Sequence, residues 1–526
     1  MTTKRNYCND NKLHEKILEG VSILTDYVGS TLGPRGRNVI LKEIGKNPFI
    51  TKDGVTISHF VAFEDFFKNV GAQIVKQASL QTNEKVGDGT TTSIVLAGAM
   101  LEEAQKFLKS GVAPIEMKRG MELATKKIVN YLEENAQAVE NLDDIKHVAT
   151  ISANNDKTIG SLIAAALDQA GKDGSITIEE ARSAETSLDT TEGFIFEGGY
   201  ASPQFITDER RKVTRHEDCL IFVTDHKLSS VDEMLPILEL AARSSRPLLI
   251  VADEVEGQFL AALIVNVVRG TMKVVAVKAP SYGEERREIL SDLAISTGAE
   301  FITRESGVSL KDVKLKNFGK AKTIEVSRNR AVVAGGHANL EKVEEQIESL
   351  KTQIKEEESD RVCEKLQERI TRLVSAVAII RVGGTTEVEM IEKKHRVEDA
   401  LEAVRTAQLG GIHAGGGVPL VRASKIIEAP EELSAEQRIG FNLVLKAVRE
   451  PVRRMAINAG KSADIVENMV VNELDNYGYD FASGKLVDMI NVGIIDPVRV
   501  TCCALQNATS VISTLITTNH AIVESE

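Results

Sequence analysis

The densest chemistry in the chain lies in Gly87-Asp88-Gly89-Thr90-Thr91-Thr92, preceded by Lys85-Val86 and running through Ser93 into the apolar Ile94-Val95-Leu96-Ala97-Gly98-Ala99-Met100. Two glycines let the backbone turn sharply and approach a ligand closely, and the threonines then open a helix whose first N–H groups have no intrahelical partner. Such a helix terminus attracts anions. A carboxylate at Asp88, beside amides suited to phosphate, makes electrostatic sense when a cation stands between them, most often Mg²⁺ shared with phosphate oxygens. The stretch is not a Walker A loop, because no Gly-Lys-Ser/Thr follows the glycines. Taken alone, the same residues also make an ordinary Gly-Asp-Gly turn with a threonine N-cap. Related chemistry recurs in Thr31-Leu32-Gly33-Pro34-Arg35-Gly36-Arg37-Asn38 and in Thr51-Lys52-Asp53-Gly54, on either side of the strand-like Val39-Ile40-Leu41. It returns late in the chain at Gly383-Gly384, at Asp399 and at Ala414-Gly415-Gly416-Gly417.

The elements that must position these residues differ along the chain. The first third reads as helices, with apolar stripes Phe66, Val70, Ile74, Ala78 and, after Pro114, Met117, Met121, Ala124, Ile128, Tyr131. From about Ile151 the pattern changes to short apolar runs of buried-strand type, Ile176–Ile178, Cys219–Val223, Leu248–Ala252 and Lys273–Val277, with helices between them. Two of those helices are apolar on more than one face: Val231, Met234, Leu235, Ile237, Leu238, Ala241, and the unbroken run Phe259–Val265. Such a helix is either fully buried or carries a second face open to other chains. Leu340, Val343, Ile347, Leu350, Ile354 and then Val362, Leu366, Ile370, Leu373, Val377 predict an antiparallel helical hairpin, with Ser359 or Asp360 as the second N-cap. The last hundred residues return to helix before an alternating edge-strand pattern over Thr517–Val523.

Length and composition bound the function. With 526 residues there is room for three to four cores. A formal charge of −13 and no basic run argue against a nucleic-acid surface. No apolar stretch has transmembrane length and the first residues are polar, so we expect no membrane partner and a cytoplasmic protein. Five scattered cysteines and nine dispersed histidines show neither a disulfide framework nor zinc spacing.

In order along the chain, Val28-Gly29-Ser30-Thr31-Leu32-Gly33-Pro34, Thr51-Lys52-Asp53-Gly54-Val55, Gly87–Thr92, Thr150-Ile151-Ser152-Ala153-Asn154, Glu387-Val388-Glu389-Met390, Arg396-Val397-Glu398-Asp399-Ala400-Leu401, Ala414–Gly417 and Asp496-Pro497 resemble the bacterial-type group I chaperonins, the GroEL family. The resemblance implies a multidomain α/β chaperonin fold. A mainly helical equatorial ATP-binding domain would span 1–134 and 411–526, a small α/β intermediate hinge domain 135–191 and 377–410, and an α/β apical substrate-binding domain 192–376. It further implies that ATP phosphates lie on Asp88, Gly89, Thr90, Thr91, Thr92 and on Thr31, Leu32, Gly33, Pro34. Asp88 would hold Mg²⁺, Thr31 and Lys52 would adjoin K⁺, Gly416 and Asp496 would hold the nucleoside, and Asp480, Phe481 and Ala482 would line the base. Asp399 would orient the attacking water with Asp53 beside it, which is positioning rather than covalent catalysis. Tyr200, Phe205, Leu235, Leu238, Leu260, Ile264 and Val265 match the family's positions for binding unfolded polypeptide clients.

The chain departs from the family in places. Asp480 and Phe481 replace the usual Asn and a small residue, Gln204 an aromatic, and Ser375-Ala376 a hinge glycine pair, although Gly193 keeps the first hinge. Arg453 is kept, but Ser462 stands at the acid that pairs with it between rings, which predicts weak ring–ring association. The expected function is that of an ATP-dependent chaperone acting as a seven-subunit ring, single or double, with a lid co-chaperonin as an optional partner. A ring-forming holdase or scaffold with weak nucleotide cycling is the alternative. A metabolic phosphotransferase would leave the doubly apolar helices unexplained.

Overall fold

The structure, a computed structural model, describes residues 4–43, 45, 48–171, 175–181, 183–209, 211–357, 360–474 and 476–525. Two compact units emerge, one from Met1–Ala164, Arg182–Glu185 and Val382–Glu526, the other from Ala165–Ala181 and Thr186–Arg381. Strands Ser175–Glu180 and Ser187–Glu197 belong to the second unit, and helices Leu142–Ser152 and Glu387–Gly410 to the first.

The first unit is a helical bundle. Helix Asp10–Gly29 buries Leu13, Ile17, Val21, Leu24 and Val28, a single stripe at helical spacing. Helix Phe66–Val86 forms as expected, with Asp65 capping the N–H groups of Phe67 and Lys68, but its buried face is Phe67, Gly71, Ala72, Val75, Ala78 and Thr82. Phe66, expected in the core, is 44% exposed. Gly71 lies on that buried face, where a Cβ would come to 3.0 Å from the Ile17 backbone, and the first helix packs closely against it there. Helix Pro114–Glu134 buries Met117, Met121, Ala124 and Ile128 as its periodicity predicts. Helix Val498–Leu515 runs through the same core and buries Val498, Cys502, Leu505, Ala508 and Ile512. Four antiparallel strand pairs trim the bundle: Lys4–Asn9 with His520–Ser525, Val39–Leu41 with Phe49–Thr51, Ile412–Ala414 with Ile495–Pro497, and Tyr477–Asp480 with Lys485–Asp488.

The second unit is built on an eight-stranded sheet in the order Val274–Lys278, Leu248–Ala252, Thr214–Val223, Gly319–Val326, Arg330–Gly336, Ser187–Glu197, Ala376–Val382, Ser175–Glu180. The first three strands, each read from its apolar run, are parallel. The sheet then continues antiparallel through Gly319–Val326, Arg330–Gly336 and Ser187–Glu197, whose alternating or glycine-containing sequences give a weaker signal, to Ala376–Val382, where Val377 lies in a strand and not in the helical hairpin expected for it. Gly193 sits inside one of these strands, where a Cβ would meet Val377 Cγ2 at 2.2 Å, so close packing requires glycine here. The hairpin of Leu340–Glu356 and Asp360–Val374 is present, fixed to helix Gly283–Thr297 by a bidentate Arg369–Asp292 pair in which Asp292 is fully buried. Its proposed cap at Ser359 lies outside the described residues, as do the side-chain surroundings of Asp360. Among the described residues no helix is long and apolar enough to cross a membrane.

Candidate functional site

Helix Phe66–Val86 stops at Gly87 and helix Thr90–Leu108 starts from Gly89, and both glycines are left-handed, with φ of 69° and 79°. That conformation is costly for any residue with a Cβ, and at Gly89 a Cβ would also meet Val500 Cγ1 at 2.6 Å. The paired turn holds Asp88 between them. Its Oδ1 accepts from the Gly89 N–H and its Oδ2 from Ser152 Oγ at 2.8 Å. Removal from solvent, together with the nearby Asp53, raises the Asp88 pKa against these two hydrogen bonds. No acidic residue occupies the first turn of helix Thr90–Leu108, so its free N–H groups keep their attraction for an anion.

The neighbouring segments close on this turn. Gly54 packs so tightly on the threonines that a Cβ would lie 2.5 Å from Thr91 Oγ1. Asp53, just before it, is the N-cap of helix Gly54–Phe60, accepting from Val55 N, Thr56 N and Thr56 Oγ1. Thr31 donates its hydroxyl to the Val28 carbonyl at 2.7 Å, leaving its oxygen lone pairs available. Asn458 holds the loop from the other side by donating to the Gly29 and Leu32 carbonyls, both at 2.9 Å. Asp496, on the short strand Ile495–Pro497, accepts from Gly416 N at 3.1 Å. Burial first, and the Asp88 charge second, push its pKa up to about 7.

Thr31, Asp53, Gly54, Asp88, Gly89, Ser152, Gly416 and Asp496 line one cavity of about 560 Å³. Around it stand Thr31, Leu32, Gly33, Pro34, Lys52, Asp53, Asp88, Gly89, Thr90, Thr91, Thr92, Asp399, Gly416, Asp480, Phe481, Ala482 and Asp496, every nucleotide-site position read from the sequence. Its volume suits a ligand of nucleotide size.

Several residues lining or bracing the cavity were not singled out in the sequence. Glu392, His395 and Arg396 face the cavity together with the expected Asp399, at positions i, i+3, i+4 and i+7 of helix Glu387–Gly410. That spacing was a legible signal, since it puts four polar residues on one face. Arg396 bonds Glu392 at 2.6 Å and lies 3.5 Å from Asp156. Ser152, inside the quoted Thr150–Asn154 block, supplies the hydroxyl on Asp88. Arg35 reaches from the Thr31–Pro34 turn to the carbonyls of Phe481 and Ala482.

The electrostatics of the cavity test the expected cations. Asp53, Asp88 and Asp496 crowd together where each raises the cost of ionising another, and a divalent ion would relieve this. Among the described residues no group of three or more His, Cys, Asp or Glu has metal-site geometry, so a metal here would draw most ligands from phosphate and water, as Mg²⁺ does. The residues fit that ion. Loss of solvent lowers the Lys52 pKa, partly opposed by Glu392. An ammonium cannot ligate a cation, so Lys52 could serve K⁺ only through its main-chain carbonyl.

The client-binding positions lie in the second unit and divide. Leu235 and Val265 are 47% and 46% exposed, and Tyr200, Leu260 and Ile264 are half-buried. Phe205 and Leu238, expected on the exposed face, are core residues at 0% and 8% exposure. Helix Val231–Ser244 turns Met234, Ile237, Leu238 and Ala241 inward, and helix Gly257–Val268 buries Phe259 and Leu263. Each helix therefore has one buried stripe and a second apolar strip at its surface, which includes Val268 at 71% exposure.

A bundle carrying a phosphate-type turn, joined in one chain to a mixed sheet with apolar surface helices, defines a chaperonin. The chain belongs to the TCP-1/cpn60 chaperonin family, whose profile matches residues 24–526, and a chaperone role comes with that membership. Its fold is also that of the chaperonin gp146 from bacteriophage EL 2 (Pseudomonas aeruginosa), crystallised in the presence of ATP-BeFx. That protein is 22% identical over 99% of both chains, with TM-scores of 0.67 and 0.63 for its two crystal forms.

Proposed function

We propose that this protein is an ATP-driven chaperonin: ATP binding and hydrolysis in the bundle cavity drive capture and release of non-native polypeptide by the exposed apolar strip of the second unit. The observation that carries the reading is the convergence of seventeen residues, drawn from separate stretches of the sequence, on one cavity. The three-domain division, with its equatorial, intermediate and apical parts, belongs to this proposal. So does assembly into a seven-subunit ring, favoured by apolar residues left exposed on the strand pairs: Tyr7 and Ile522 on one, Ile40 and Ile50 on the other.

In this reading the first N–H groups of helix Thr90–Leu108 bind phosphate oxygens, and the Thr90–Thr92 hydroxyls donate to the remaining ones. Asp88 would hold Mg²⁺, which supplies charge neutralisation at the phosphates. Asp399 accepts a hydrogen bond from the attacking water and orients it, the role a carboxylate plays in phosphoryl transfer by positioning. Lys52 and Arg396 offset the charge gathered at the phosphate end, and Asp496 receives the ribose hydroxyls.

Two substitutions separate these roles. Asp399→Ala is expected to leave ATP affinity within a few-fold of wild type and to lower turnover by roughly 10²–10⁴-fold. Asp88→Ala should instead weaken Mg·ATP binding. Calorimetric titration with a steady-state phosphate-release assay distinguishes them, and equal turnover of Asp399→Ala and wild type would refute the assignment. Binding without turnover in the wild type would point to the holdase.

A further inference from the structure

Asp88 is held from two sides, and the two bonds differ in what they can fix. Its Oδ1 accepts from the N–H of Gly89, the next residue in the chain, so this bond moves with the turn and steadies the carboxylate only against its own backbone. Its Oδ2 accepts from Ser152 Oγ at 2.8 Å, across 64 residues of sequence, and this bond ties the carboxylate to another wall of the cavity. Each oxygen thus carries one donor and keeps a lone pair for a further partner. The nearby Asp53 and Asp496 repel the same carboxylate, and an untethered side chain would relieve that repulsion by rotating away.

Ser152 is itself firmly placed. It is the last residue of helix Leu142–Ser152, whose Ile145, Val148 and Ala149 are buried. Beyond it the helix end is closed by two left-handed residues, Asn154 and Asn155, with φ of 57° and 65°, and Asn155 N donates back to the Thr150 carbonyl at 2.8 Å. Asparagine tolerates this conformation better than most residues with a Cβ, yet two in succession still carry a cost. Both line the cavity together with Ser152, so the strain sits where it sets a hydroxyl against Asp88.

We propose that Ser152 is a positioning residue for the Mg²⁺ that accompanies the nucleotide: by donating to Oδ2 it holds the Asp88 carboxylate in place within the cavity before the ion arrives, so that the ion does not have to order it. The proposal rests on the cavity being a nucleotide site with Asp88 as its metal ligand, and deepens that reading by naming a residue that sets metal affinity without touching the metal.

The test is calorimetric titration of the intact protein with ATP at a series of Mg²⁺ concentrations, and once with a chelator in place of the metal. In Ser152→Ala the Mg²⁺ concentration needed for half of the full gain in ATP affinity is expected to rise roughly 10–100-fold, while the affinity for metal-free ATP stays that of wild type. Ser152→Cys, of similar size but with only a weak S–H donor, should fall between the two. An unmoved Mg²⁺ dependence in Ser152→Ala overturns the proposal. So does an equal loss of affinity with and without metal, which would make Ser152 a support of the fold and nothing more. Where Ser152→Ala fails to fold, Ser152→Cys decides by the same two criteria. Wild type that binds ATP no better with Mg²⁺ than without would overturn the role of Asp88, and wild type that binds no ATP would overturn the assignment of the cavity. Both results are distinct from a misread Ser152.

Discussion

The cavity of the first unit and the apolar helices of the second were reached by the same kind of reading, yet the structure treats them differently. Around the cavity, every nucleotide-site position named from the sequence takes its place in the lining. On the helices, Phe205 and Leu238 fall in the core while Leu235 and Val265 stay at the surface. The difference is physical. A carboxylate, a left-handed glycine or a run of threonines at a helix start is costly unless its particular environment is supplied, so such residues report where they are. A leucine at helical spacing is satisfied equally by a core or a groove, and its type alone does not say which.

The sharpest way to break this contrast is to cut into the core side of the helices. Phe205→Ala is expected to cost about 3–5 kcal/mol and Leu238→Ala about 2–5 kcal/mol. Leu235→Ser and Val265→Ser should stay within about 0.5 kcal/mol of wild type while losing affinity for an unfolded client. Urea denaturation with a client-binding assay reads both, and an unmoved midpoint for Leu238→Ala would return that residue to the groove.

Acid offers a second comparison, because each unit carries a buried histidine. Burial lowers the pKa of His413 in the first unit to about 4, and burial followed by the Lys273 charge does the same for His216 in the second. Both folded values lie below the unfolded value of about 6.5, so the unfolded state binds more protons between pH 4 and 6.5 and stability rises with pH across that window. Each histidine should withdraw about 3 kcal/mol as pH falls from 6.5 to 4. His413→Val and His216→Val should each flatten the acid limb of a stability–pH curve, and a limb unchanged in either would show that the ring is not neutral and buried as described.

The smallest effect concerns Arg453. Its guanidinium bonds Asp464 and Glu467, both at 2.6 Å, with Glu450 at 3.3 Å, so its charge is satisfied within the chain while Ser462 is exposed beside it. Arg453→Ala should change stability by no more than about 1 kcal/mol and leave any ring–ring contact as it was. Sedimentation of wild type and variant, with and without ATP, checks this; a double ring in wild type that dissociates in the variant would mean Arg453 pairs across rings after all.

Legibility in the sequence followed the same division. The parallel strands were readable because burial on both faces gives unbroken apolar runs, as in Leu248–Ala252, whereas Ser187–Glu197 has no buried residue before Phe194 and its polar first half passes for a loop. The face of helix Phe66–Val86 was misjudged by one residue because Gly71, which lies on the buried face, adds nothing to a hydrophobic stripe. At the site, Asp88 and Asp399 were visible from their motifs. Arg35 was not, because its partners are backbone carbonyls some 446 residues away, and an arginine in a glycine-rich turn reads equally as a solvated charge. The helical spacing that puts Glu392, His395 and Arg396 on the face of Asp399 was visible in principle and hidden by the charge of the whole segment.

The pairing of Lys4–Asn9 with His520–Ser525 carries a consequence for how the chain is made. Strand Lys4–Asn9 leaves the ribosome long before its partner His520–Ser525, and helix Val498–Leu515, which fills the core of the same bundle, emerges just before that partner. At roughly 5–20 residues per second, the buried stripe of helix Asp10–Gly29 waits on the order of half a minute to two minutes for its neighbours. The interrupting segment Thr186–Arg381 is complete well before then and can fold in the meantime. A protein whose family attends to unfinished chains thus spends most of its own synthesis as one.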